Sequence, residues 1–399
     1  MNGNIKVAVA GFLATAVAFG PARMGYGLFL PRFREEFGFS IETAGFIASA
    51  AYGSFLLALL LTGFLSPRLG PRAPVIAGGL AAASGMGLVA GASSVHSLAA
   101  GVILAASSAG FCWVPYNNAV GRAVSENLWG RVLSIVSTGT TFGIAGAAVL
   151  ALAILNTGFG WRITWAVFSV AGLAAAVVNA FALGDMRGGG PRDEGAFGIA
   201  EDMGLRELLR ARAVPLYGVA LSFGVTSSIF LSFAVEHVTD AGGLGGGNGE
   251  IGPILFLAFG AVGVPGMFTG EFESRIGLRR LLRIIFICSF ASLALLGVAP
   301  GSWATVLVSA ALQGGFVMTV SAVLAFWSLR VFPFIPAVSF TAVLLLVAAG
   351  NAAGPALASL AATRIGMGMM FLACGGLSLL TALALPRGVR EYSGNQSGS

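Results

Sequence analysis

The sequence predicts an all-α membrane protein of twelve transmembrane helices arranged as two pseudo-symmetric six-helix bundles. Two observations carry that prediction. Apolar residues make up 57% of the 399-residue chain and charged residues only 10%, against about 25% charged in an ordinary soluble domain. A soluble protein of this length could not cover its surface with so few charges. Second, a ten-residue pattern, G-x-x-x-x-R-x-G-x-R, occurs at Gly63–Arg72 and again at Gly270–Arg279, an offset of slightly more than half the chain. A repeat at half-length means a duplicated unit.

The apolar runs are about twenty residues long, the length of a membrane-spanning helix, and lack the short alternation of barrel strands. The first covers Lys6–Leu30, closed by Pro31. Its start resembles a signal peptide, but the run is too long for one and the repeat needs a helix there. Five more follow at Ile41–Gly63, Ala73–Ala92, Leu98–Val120, Val132–Leu155 and Arg162–Leu183, completing a bundle over residues 1–183. Residues 184–213 read as a linker: Gly188-Gly189-Gly190 precedes a charged cluster, and Leu205–Arg210 has the leucine spacing of a short amphipathic surface helix. Residues 214–399 repeat the plan, with spans at Val214–Val235, Ile251–Gly270, Leu281–Val298, Trp303–Leu329, Pro336–Ala361 and Met367–Leu385. Phe19-Gly20 answers Phe223-Gly224, Gly110-Phe111 answers Gly315-Phe316, and Gly143 answers Gly350. Glycines at helical spacing let two helix backbones approach closely.

Loop charge predicts orientation. Of the 22 Lys and Arg, Arg32, Arg34, Arg162 and Arg364 fall in odd-numbered loops and Arg23 within a span, leaving 17 at the termini and even-numbered loops. The positive-inside rule then puts both termini in the cytoplasm of a multi-pass plasma-membrane protein, in a bacterium the inner membrane. The net charge of +6 belongs to those loops and does not call for nucleic acid. Cys112, Cys288 and Cys374 lie in apolar segments without metal-ligand spacing, so reduced thiols, no metal and no cofactor are expected.

Ionisable residues at membrane depth are the sharpest functional signal, because each costs several kcal/mol unless it meets a cavity or a partner. Arg23 is the clear case, lying between Gly20-Pro21 and Gly25-Tyr26-Gly27. It snorkels to the outer interface, pairs with backbone carbonyls as a structural arginine, or faces a cavity. No acid falls in the middle of any span, so a carboxylate on a substrate is the natural partner of a cavity-facing Arg23. Glu236 and His237 form a candidate proton site, with a solvated helix end as the stronger reading. The neutral candidates are Trp113, Tyr116 and Asn117 on span four, Ser227 on span seven, Gln313 on span ten and Asn351 on span eleven, with Tyr26, Tyr52 and Phe230 as aromatic walls. Taken singly, such residues more often make helix–helix hydrogen bonds. An intramembrane enzyme would need paired Asp, Ser–His or metal-binding groups at depth. The only histidines, His96 and His237, sit at loops or helix ends, and no P-loop is present, so no enzyme and no direct ATP drive are expected.

Six plus six spans, a long central polar segment and this motif after spans two and eight resemble the major facilitator superfamily over essentially the whole chain. The family's motif, usually G-x-L-A-D-R-x-G-R-R, is matched at Gly63, Leu65, Arg68, Gly70 and Arg72, and echoed at Gly270, Arg275, Gly277 and Arg279. The resemblance implies that these residues, with Gly143 and Gly350, take part in gating. It also implies a monomeric alternating-access transporter whose spans one, four, seven and ten line a central cavity, placing Arg23, Asn117, Ser227 and Gln313 near the substrate. The motif's acid is replaced by Pro67 and Ser274; Glu271 or Glu273 is available as a substitute in the second copy only. The expected cargo is a small organic anion, carried by proton-linked symport or facilitated diffusion. The alternative is efflux of amphipathic or neutral compounds.

Overall fold

The computed structural model describes residues 3–184, 186, 213–242, 244, 249–263, 269–332 and 336–385. The linker expected over residues 184–213, including Leu205–Arg210, falls almost wholly outside them. Among the described residues no strand forms. Ten helical segments are long and apolar enough to cross a membrane, and two further spans are built from shorter pieces.

Span one is α1 (Gly3–Phe19) and α2 (Pro21–Phe37). Pro21 has no N–H to offer the preceding turn, and Gly20 between them takes φ −77°, ψ −106°, so the helix breaks there. Pro31, expected to close the span, lies inside α2; the helix instead ends at Gly38, whose φ of 65° suits only glycine without strain. Span two is α3 (Ile41–Leu69), started by Ser40, whose hydroxyl accepts from the Thr43 N–H. Span three is α4 (Arg72–Ala90). Span four is interrupted: α5 (Val95–Ser107), a 3-10 turn (Ser108–Phe111), then α6 (Trp113–Ala123). Spans five and six are α7 (Trp129–Asn156) and α8 (Trp161–Ala182).

The second half runs α9 (Val214–Ala241), α10 (Ile251–Ala261), α11 (Thr269–Ile276), α12 (Leu278–Val298), α13 (Trp303–Val331), α14 (Pro336–Ile365) and α15 (Met367–Ala384). Here α10 and α11 together stand where span eight was expected as one run.

The repeat is visible in the packing. A Cβ on Gly20 would stand 2.5 Å from the Gly143 carbonyl, bringing span one onto α7. One on Gly350 would stand 2.5 Å from the Leu221 carbonyl oxygen and 3.1 Å from Gly224 Cα, bringing α14 onto α9. Gly20–Gly143 and Gly224–Gly350 are equivalent pairs in the two halves, and both are backbone-to-backbone contacts that a side chain would prevent. α9 is the most enclosed span, with 83% of its apolar window buried against 33–56% for the others. It lies at the centre, between its own bundle and α2.

The first and last described residues, Gly3 and Leu385, lie at the same side, called proximal here. At the opposite, distal side the halves close on one another. A Cβ on Gly27 of α2 would overlap the Leu231 carbonyl of α9, and one on Gly45 of α3 would overlap Ser359 of α14. The Ala356 N–H of α14 donates to Ser49 Oγ of α3 at 2.8 Å. These contacts form a distal seam.

Candidate functional site

The site grows out of the break at Gly20. Restarting the helix at Pro21 puts Arg23 in the first turn of α2. Its guanidinium carbon lies 5.6 Å from the Phe19 ring, 5.1 Å from Tyr52 and 4.7 Å from Phe55. The side chain therefore reaches back toward the end of α1 and the middle of α3, away from Pro31 and the distal surface. That direction is opposite to an outward snorkel. Each ring contributes about 0.5–2 kcal/mol of cation–π attraction, enough together to offset much of the ~2.5–3.5 kcal/mol that insertion scales assign to a mid-span arginine. Among the described residues no carboxylate pairs with Arg23, and its Nε is buried without a hydrogen-bond partner. Tyr52 meets both Arg23 and Ser232 of α9, so this ring ties the charge to the second half.

The other candidates separate into those near the seam and those inside one bundle. Tyr26 braces α2 on α3, its hydroxyl donating to the Ala44 carbonyl at 3.0 Å and its ring stacked on Phe33. Ser227 donates to its own helix at Phe223 O, 2.6 Å, and lies 3.5 Å from Asn351 Oδ1 on α14. Phe230 stacks on Phe259 of α10 with centroids 6.0 Å apart.

Three expectations about the cavity wall need correction or fall away. Tyr116 points into the first bundle: its hydroxyl donates to Asn179 Oδ1 of α8, and Asn179 Nδ2 donates to Ala10 O at 3.1 Å and Ala175 O at 2.8 Å. The 3-10 turn before α6 shifts the helical phase, so spacing along span four does not report which way Tyr116 faces. Gln313 shares a helical face with Ser309, bonded to Ser292 of α12, and with Phe316, packed on Phe223 and Phe286. It thus points into the second bundle, fully buried and with both amide atoms unpartnered. The Asn117 side chain lies outside the described residues. Trp113 opens α6, half-buried. Asn179 is a residue that sequence reasoning missed; a lone asparagine in an apolar run is the only signal it gave.

The repeated motif is a helix end more than a loop. α3 continues through Gly63 and Arg68 to Leu69, and α11 holds Gly270 and Arg275. The motif's second glycine makes the break in each copy, Gly70 at φ 71° and Gly277 at φ 81°, a conformation other residues adopt only with strain. The last arginine caps the sixth helix of its half. Arg72 donates to the Ala180 carbonyl at 3.3 Å, and Arg279 to the Leu385 carbonyl at 3.2 Å. A cation there meets the carbonyl end of the helix dipole. Arg68 and Arg275 are exposed. In the second copy Glu273 forms a two-pronged pair with Arg330 at 2.6 and 3.0 Å; the corresponding position in the first copy is Ser66, which accepts from Asn118.

At the distal seam Arg34 of α2 is ion-paired with Glu236 of α9, lies 3.8 Å from Asp240, and donates to Phe39 O at 3.2 Å. Glu236 is only 2% exposed and His237 8%. The solvated helix end expected for this pair is therefore wrong, because α2 packs over it. His237 Nε2 lies 3.0 Å from the Leu296 carbonyl and its ring stacks on Phe371.

A family model described as Major Facilitator Superfamily matches residues 8–334. The chain belongs to the major facilitator superfamily. Among solved structures, the fold is similar to a point mutant of the nucleoside transporter NupG, with a TM-score of 0.77 and 12% identity over 96% of this chain and 99% of that one. NupG itself gives 0.74 at 13% identity, covering 96% and 98%. A bacterial homolog of the human lysosomal transporter Spinster, in an inward-facing and unoccupied conformation, gives 0.72 at 15% identity, covering 96% and 95%. A search of curated proteins finds no match. As a superfamily member the chain is a multi-pass membrane transporter, and alternating access is the family's way of working. The closed distal seam is one of the two arrangements that such a cycle needs.

Proposed function

We propose that this protein is a secondary transporter for a small organic anion, working by alternating access around Arg23. The observation that carries the reading is the guanidinium ringed by Phe19, Tyr52 and Phe55, turned away from the distal surface and without a carboxylate partner among the described residues. The rings make the charge tolerable in the empty state and leave it unneutralised, and a carboxylate then supplies the missing counter-charge. Residues 1–183 and 214–399 act as the two rocking halves, joined by 184–213. Both termini lie in the cytoplasm of a bacterial inner membrane, on the loop-charge asymmetry, so the distal seam is the outer gate. The protein works as a monomer.

Uptake of labelled carboxylates into proteoliposomes, wild type against Arg23→Ala and Arg23→Lys, tests this. Transport lost in Arg23→Ala and partly kept in Arg23→Lys supports the reading; unchanged anion transport in Arg23→Ala ends it. A second reading, movement of a neutral amphipathic compound, draws on the same aromatic rings. It is favoured if cargo specificity survives Arg23→Ala while Phe55→Ala abolishes transport.

A further inference from the structure

One charged cluster plays no part in the anion reading. At the distal seam two carboxylates share a single arginine. Arg34 of α2 pairs with Glu236 and lies 3.8 Å from Asp240, both on α9. Glu236 differs from Asp240, which is exposed. Glu236 is 2% exposed, one carboxylate oxygen faces Arg34, and the other, Oε2, is buried with no hydrogen-bond donor. A buried, half-satisfied carboxylate sharing its one cation with a neighbouring acid is where a proton binds most readily. The remaining ionisable groups near this end are accounted for. Arg32 pairs with Glu35 on α2, Glu36 of α2 pairs with Arg162 of α8, Tyr26 donates to the Ala44 carbonyl, Glu42 lies in the first turn of α3, and His237 is held by Leu296 O. Glu250 is the N-cap of α10 and Arg364 lies in the exposed last turn of α14. The helices α12, α13 and α15 bring no ionisable side chain to this end among the described residues.

The position matters because Arg34 and Glu236 belong to different halves. The geometry points to Glu236 as a proton-binding site that latches the distal gate: ionised, it holds α2 against α9 through Arg34; protonated, it releases them. A proton arriving from distal water binds the carboxylate and removes its charge. Arg34 then keeps only Asp240 and the Phe39 carbonyl, and the seam around Gly27–Leu231 and Ser49–Ala356 is free to part. Closing the gate again with the pair re-formed returns the proton. The latch does not depend on the cargo being an anion.

The test reads seam opening without any substrate. Ser359 of α14 is fully buried against Gly45 in the seam, so Ser359→Cys, in a chain with Cys112, Cys288 and Cys374 replaced by serine, reports opening. Its labelling by a membrane-impermeant maleimide is followed from the distal face of oriented vesicles, with rates corrected for thiolate fraction on an exposed control cysteine. Lowering distal pH from about 7.5 to about 5.5 should raise the corrected rate by about 5-fold or more, a usual size for a coupling between two sites. Adding Glu236→Gln should give fast labelling at both pH values and remove the response. Asp240→Asn should keep it. A reporter chain whose rate does not change with pH overturns the proposal, and this measurement does not rely on a Glu236 variant folding. A Glu236→Gln chain that keeps slow labelling and the full pH response overturns it too, as does loss of the response in Asp240→Asn alone. Failure here leaves the Arg23 uptake experiment untouched, and the reverse holds.

Discussion

Arg72 and Arg279, at the same position of two motif copies, each donate to a carbonyl at the end of the sixth helix of their own half: Ala180 O at 3.3 Å and Leu385 O at 3.2 Å. The repeat thus preserves a mechanical contact. A motif at the end of span two or eight ties that end to the last helix of the same bundle.

Arg72→Ala and Arg279→Ala should each lower stability by about 1–2 kcal/mol, the range for a charge-assisted bond to a helix C-terminus. Thermal unfolding in detergent checks this. The two variants should resemble each other, and lysine should restore part of the loss. A large transport defect with no change in unfolding would make the arginine a gate element and not a helix cap.

The glycine pairs predict a sharp contrast. Gly143→Val and Gly350→Val should destabilise by about 1–3 kcal/mol or more, because the backbone of the facing helix cannot move aside. Gly146 lies on the same helix as Gly143, and a Cβ added there would meet nothing within 4 Å, so Gly146→Ala should be neutral or slightly stabilising. Yield and melting temperature of the three variants decide the matter; equal tolerance at Gly143 and Gly146 would contradict the close helix contact.

Tyr116→Phe should cost about 1–3 kcal/mol, since it strands the buried Asn179 Oδ1 that the hydroxyl satisfies. Cargo preference should not change, because Tyr116 sits inside the first bundle. A shift in specificity without a stability loss would return Tyr116 to the cavity wall.

Much of the fold is legible in the sequence, for physical reasons that differ from residue to residue. The duplicated plan shows through Gly70 and Gly277 because only glycine takes that backbone turn cheaply, and the two positions recur at fixed spacing. Arg23 stands out because an arginine within an apolar run is costly wherever it points. Direction is harder to read. A helix apolar on all sides gives no phase from which to say that Tyr116 and Gln313 face inward within their bundles, and the 3-10 turn at Ser108–Phe111 removes what phase there is. Glu236 reads as a solvated helix end because its burial comes from Arg34, 202 residues away in sequence, a contact that no local pattern announces. Asn179 escapes notice for the same reason, its partners Tyr116 and Ala10 lying on two other helices.

Phe55→Ala removes the ring nearest the Arg23 guanidinium, at 4.7 Å. It should weaken protein stability by about 3–5 kcal/mol if the cavity does not refill, while Tyr52→Phe, which keeps the ring, should fold normally and alter transport through the lost contact with Ser232. Unfolding and uptake measured on the same preparations separate the two effects.

The most direct test is substrate-free and substrate-loaded thermal stability of wild type and Arg23→Gln across a panel of matched pairs, each a carboxylate and its neutral amide. Wild type should be stabilised by at least one carboxylate, increasingly with concentration, and not by its amide; Arg23→Gln should lose that preference while folding. Stabilisation of wild type by the amide equal to that by the carboxylate, or a carboxylate preference that survives in Arg23→Gln, would contradict the assignment of Arg23 as the anion-binding charge.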